Sequence, residues 1–146
     1  MIQFNYWKYL KYFYIYIEFI PIAMLQSKLT IRPQIPTALV NENMTSEEKF
    51  QNTTLRPVIK MQHELLFIRL ESELNQAPFQ DLTKDAKKQF IQNGLFKGNA
   101  LRNEVIGIIS GCFTLGEYAF YRECTTTINK RILQIVIERV VSTLGL

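Results

Sequence analysis

The chain holds a single histidine, His63, and two cysteines, Cys112 and Cys124. Any metal site built on two histidines is therefore excluded, and Ser-His or Cys-His chemistry would have to run through His63 alone. Glu64 follows His63, but neighbouring helical positions point about 100° apart and do not form a joint site. The positions sharing the helical face of His63 are Ile59, Lys60, Leu66 and Phe67, and none is a metal ligand. A di-metal centre in a helical bundle would need Glu-x-x-His, and residue 60 is lysine. His63 is thus read as a satisfied or surface histidine and is the one candidate for a catalytic base. No cofactor and no metal are expected.

The two cysteines lie twelve positions apart and neither belongs to a Cys-x-x-Cys motif. Both read as small buried hydrophobes, and reduced thiols fit a cytoplasmic protein. Carboxylates are scattered. Glu71 and Glu73 diverge on a helix, whereas Glu47 and Glu48 suit a first helical turn facing the positive end of the helix dipole. No serine sits in a Gly-x-Ser-x-Gly elbow. Nucleic-acid binding has one surface to recommend it, formed by Lys84, Lys87, Lys88, Lys97 and Arg102. The helix that would have to read bases offers Arg102, Asn103 and Glu104, then turns apolar. That is the pattern of a core helix, so nucleic acid is not an expected partner.

The elements that must carry these residues read as helices. The chain has 146 residues, 47% hydrophobic and 21% charged, with a net charge of +4. Those values suit one soluble globular domain and are too weakly basic to imply a polyanionic partner. Thr45-Ser46-Glu47-Glu48 has the spacing of a capping box. The helix it opens must be kinked or divided at Pro57, whose nitrogen cannot donate. Beyond it Val58, Met61, Leu65 and Ile68 form one apolar stripe, widened by Ile59, Leu66 and Leu70, to about Gln76.

Thr83 caps a second helix running through Phe96, with Ala86, Phe90 and Phe96 on its buried side. Asn99 is the cap expected for a third helix, which carries Leu101, Val105, Ile108 and Cys112. Gly107 and Gly111 lie one turn apart on its flank, where missing side chains would let another helix approach closely. Thr114-Leu115-Gly116-Glu117 repeats the capping spacing and opens the longest helix, to about Thr143. Ile128, Ile132, Leu133, Ile135, Ile137 and Val140 make its broad apolar side, a core or oligomer face. Thr127, Lys130, Arg131, Gln134, Glu138 and Ser142 make the polar one. The architecture expected is all-α, a small antiparallel bundle of four main helices over residues 45–146.

Residues 1–44 form an N-terminal extension of different character. Nine of the 18 aromatic residues fall between Phe4 and Phe19, and sixteen of the first 23 residues are types with AT-rich codons. The expectation is that the native start is internal, at Met24. An interfacial membrane helix is the alternative, and a membrane is a partner only if residues 1–23 are native. Residues 24–44 form an extended arm. Its Arg32-Pro33-Gln34-Ile35-Pro36 segment contains a P-x-x-P that could dock in a partner's groove, with Arg32, Pro33 and Pro36 as contacts. An arm lying over its own domain or a sister subunit is preferred.

The stretches Ile31-Arg32-Pro33-Gln34-Ile35-Pro36, Glu47-Glu48-Lys49-Phe50-Gln51-Asn52 and Leu55-Arg56-Pro57-Val58-Ile59-Lys60-Met61-Gln62 resemble a short, uncharacterised bacterial family. So does Asn129-Lys130-Arg131-Ile132, and the resemblance covers roughly residues 31–143. Some members carry the label glyoxalase, which implies a metal held by His and Glu on a β-rich fold. One histidine and a helical pattern argue against that label, and no site residue carries over.

The leading expectation is a non-enzymatic protein-interaction or oligomerisation module, working with a protein partner or a second copy. The alternatives are a small lyase using His63 with a carboxylate, and a DNA-binding regulator using the Lys84–Arg102 surface.

Overall fold

Helix capping and apolar spacing turn the sequence into a run of helices, seen in a computed structural model that describes residues 28–146. The expectations for residues 1–23, an internal start or an interfacial helix, lie outside the described residues. No strand occurs among the described residues. The chain divides into two units, Met1–Arg32 and Pro33–Leu146. In the first, residues 28–30 are helical and the Arg32 amide donates to the Leu29 carbonyl at 3.3 Å. Residues 33–44 go with the helices, because Asn52 Nδ2 donates to the Leu39 carbonyl at 2.9 Å and approaches Met44 Sδ at 3.7 Å.

Helix α1 is Ser46–Phe50. Its capping box is complete: Glu48 N donates to Thr45 Oγ1 at 3.2 Å, and Thr45 N donates to Glu48 Oε2 at 2.8 Å. The path then widens into a π-helical turn, Gln51–Leu55, before α2, Arg56–Met61. Pro57 lies in the first turn of α2, a position where a missing N–H is tolerated. The adjustment falls just upstream of the proline, where Arg56 N donates to the Gln51 carbonyl five residues back. The interruption comes instead at Gln62, with φ −88° and ψ 11°, after which α3 spans His63–Leu74.

The remaining helices are α4 (Ala77–Gln80), α5 (Lys84–Asn93), α6 (Asn99–Ser110), α7 (Leu115–Glu123) and α8 (Thr125–Thr143). Thr83 caps α5 as expected, its Oγ1 accepting from Ala86 N at 3.4 Å. Asn99 is not a cap: Gly98 holds that position with no side-chain bond. The long helix expected from Thr114 is divided, because Cys124 adopts φ −130° and ψ 34°, outside the helical region. Eight α-helices and one π turn among the described residues thus stand where four main helices were expected. The all-α class holds.

Helix α8 is the centre of the packing, with α2, α5, α6, α7 and the π turn against it. Ile128, Ile132, Ile135, Val136 and Val140 are buried along it. Leu55, Val58 and Ile59 enter the same core, joined by Leu101, Val105 and Ile109 of α6. In α5 the buried residue is Ile91, with Leu95 and Phe96 following, while Phe90 is exposed. The stripe expected on α3 is rotated by one position. Leu66, Leu70 and Leu74 face inward, and Leu65 and Ile68 face out.

Candidate functional site

His63 is half-buried at the start of α3, where its Nδ1 accepts a hydrogen bond from Arg139 Nε of α8 at 3.1 Å. An accepting Nδ1 places the ring proton on Nε2. The ring lies 4.6 Å from that of Phe67. Among the described residues no carboxylate comes within 4.0 Å of a His63 nitrogen. Among the described residues no group of three or more His, Cys, Asp or Glu could hold a metal ion.

Cys112, just past α6, accepts from Gln62 Nε2 at 3.2 Å and donates to the Ile108 carbonyl at 3.4 Å. Cys124 donates to the Phe120 carbonyl at 3.2 Å. Burial pushes the Cys124 thiol up, and the charges of Glu47 and Glu123 add to that. A thiol so placed is a poorer nucleophile than a free cysteine.

Two of the five cations on the surface proposed for nucleic acid make contacts with their own neighbours. Arg102 turns back to give Nε and Nη2 to the Phe96 carbonyl at 3.3 and 3.1 Å, and Lys87 Nζ lies over the Phe79 ring. The P-x-x-P segment also takes a defined place. Arg32 belongs to the first unit. In the second, Pro33 is half-buried and Pro36 is exposed, at a turn where Ala38 N donates to the Ile35 carbonyl at 3.0 Å.

What the structure brings together is a seam between α3 and α6. Gln62, before α3, meets Cys112, after α6, and Arg69 Nε meets Glu104 Oε2 at 2.7 Å. These two ties set the helices side by side in opposite chain directions. Leu65, one turn before Arg69, edges the seam from α3, and Ile68 stands beside it. Ile68 is 68% exposed and Leu65 48%. On α6, Gly107, Ile108 and Gly111 follow Glu104 at three, four and seven positions, so they edge the same seam.

Among the described residues no other helix approaches Gly107 closely. Gly107 and Gly111 are exposed, and a Cβ built on Gly107 would meet no described atom within 4 Å. The flank lies on the outer side of α6, because the inward positions are taken by Leu101, Val105 and Ile109. Ile128, Ile132 and Ile135 are fully or nearly buried within the domain, so their side of α8 is core.

One polar joint escaped the sequence. Thr54 of the π turn, 3% exposed, donates to Glu117 Oε1 at 2.8 Å. The other Glu117 oxygen accepts from Thr114 N at 2.7 Å, completing the box that opens α7. The capping spacing pointed to Glu117; nothing pointed to Thr54, 63 positions away.

No helix among the described residues is long and apolar enough to cross a membrane. Comparison with protein-family models, curated proteins and solved structures yields no match.

Proposed function

We propose that this protein is a non-enzymatic interaction module that pairs with a second copy of itself through the α3–α6 seam. The observation that carries the reading is the outward placement of Leu65 and Ile68 on a helix whose Leu66, Leu70 and Leu74 are buried. Two large aliphatic groups left in water on one helix are what a partner would cover. A second copy fits because the surface supplies both halves of a contact: a ridge at Leu65 and Ile68 beside a shallow strip at Gly107. A two-fold axis would set each ridge on the other copy's strip. Arg69 and Glu104, of opposite sign at the same place, suit a rim. An antiparallel setting of α3 against α6, a cytoplasmic setting and kinship with the bacterial family it resembles belong to the same proposal.

The test is the mass of the full chain in solution by sedimentation. A dimer is expected, and Leu65→Asp combined with Ile68→Asp should yield a monomer with an unchanged melting temperature. A wild-type monomer at tens of micromolar, or a dimer indifferent to the double substitution, would reject this surface.

A further inference from the structure

A second surface, away from the α3–α6 seam, gathers positive charge. Along the path from α1 to α3, Gln51 and His63 reach α8, and Arg56 lies between them in the chain. Arg131 Nη1 donates to Gln51 Oε1 at 2.6 Å, and Arg139 Nε donates to His63 Nδ1 at 3.1 Å. Arg56 follows Gln51 by one π turn and falls between these two bonds. All three arginines are half-buried, and among the described residues none has a carboxylate within 4.0 Å. Arg131 and Arg139 are held by neutral acceptors alone, and Arg56 Nε is buried without an acceptor from the protein. Lys60, exposed one turn beyond Arg56, adds to the same side. The nearby acids do not compensate: Glu138 accepts from Gln134 Nε2 at 3.1 Å, and Glu64 is exposed on the flank of α3.

We propose that this seam between α2–α3 and α8 binds a ligand carrying a chain of phosphates, gripped by Arg56, Arg131 and Arg139. Guanidinium forks match phosphate oxygens, and partial burial strengthens the attraction by lowering the local dielectric. Holding an arginine on an uncharged acceptor fixes its direction without neutralising it. Arg131 and Arg139 are eight residues apart on α8, roughly 12 Å along the axis. A single phosphate does not span that distance, whereas a chain of three linked phosphates, hydrogen-bonded at each end, does.

The experiment is calorimetric titration of the full chain with sodium tripolyphosphate at low ionic strength. One site is expected, weakened about tenfold by Arg131→Gln and by Arg139→Gln, the loss of a charge-assisted hydrogen bond. Arg131→Lys should recover part of the loss, and Lys97→Gln, exposed and outside both seams, should leave affinity unchanged. Thermal melts of the unliganded variants separate lost binding from lost folding. A single-stranded oligonucleotide that competes through the same arginines would support the site with nucleic acid as the phosphate source. The proposal is overturned if neither probe binds, or if Lys97→Gln weakens binding as much as Arg131→Gln.

Discussion

Helices α3 and α8 are both amphipathic, yet they meet their surroundings differently. Helix α8 is packed by four other helices and the π turn, and its isoleucines are enclosed. Helix α3 lies at the margin, with Leu66, Leu70 and Leu74 inside and Leu65 and Ile68 outside. Its ties to α6 are polar ones, from Gln62 just before its first turn and from Arg69 at its middle. An apolar residue on α8 therefore belongs to folding. On α3, neighbouring leucines divide between folding and the surface.

The sharpest way to break this contrast is to charge the centre of α8. Ile132→Asp should abolish the cooperative thermal transition, since an unpaired carboxylate in the core has no partner. A folded variant with an unchanged transition would remove α8 from the centre. Next comes a pair one residue apart. Leu66→Ala should cost about 2–5 kcal/mol in urea unfolding and Leu65→Ala less than about 0.5 kcal/mol, measured at a concentration where the chain is monomeric. Equal costs would mean that α3 has no outer face.

The two capping boxes extend the comparison to polar groups. Thr45 is exposed and serves α1 alone, whereas Thr114 is buried and shares Glu117 with Thr54. Thr114→Ala should therefore cost about 2 kcal/mol and Thr45→Ala about 1 kcal/mol or less, by the same unfolding assay. The smallest effect is expected at high pH. Burial pushes the Tyr121 phenol above its ordinary value, Tyr118 adds to this, and the bond to Asn129 opposes it. A raised folded pKa means that the folded state holds its proton longer than the unfolded chain does. That stability is present below the unfolded pKa, near 10, and fades as pH climbs through the folded value. Tyr121→Phe should flatten the fall in melting temperature above pH 10, and an identical alkaline slope would refute the assignment.

Much of this was legible because it is local. Both capping boxes, the Thr83 cap and the buried stripe of α8 rest on spacings of three and four residues. The phase of α3 was not legible. Leu65 with Ile68 and Leu66 with Leu70 are equally good helical stripes, and only packing against α8 and α6 selects the inner one. The breaks at Gln62 and Cys124 carry no glycine or proline to announce them. At the candidate sites, Arg139 meets His63 across 76 positions and Arg131 meets Gln51 across 80, pairings that no local pattern encodes.

The π turn at Gln51–Leu55 has a consequence for how this chain can change in length. A π turn holds about one residue more than an α-helical turn covering the same axis. That surplus residue acts as a phase spacer between α1 and the rest of the path. Deleting one residue here would wind α1 round by about 100° relative to α2. Phe50, whose ring now sits 5.5 Å from Phe113 and 4.9 Å from Phe120, would swing off both. Single-residue deletions scanned through the segment should therefore be far less tolerated than substitutions at the same positions, a reading-frame of side-chain directions written into one turn.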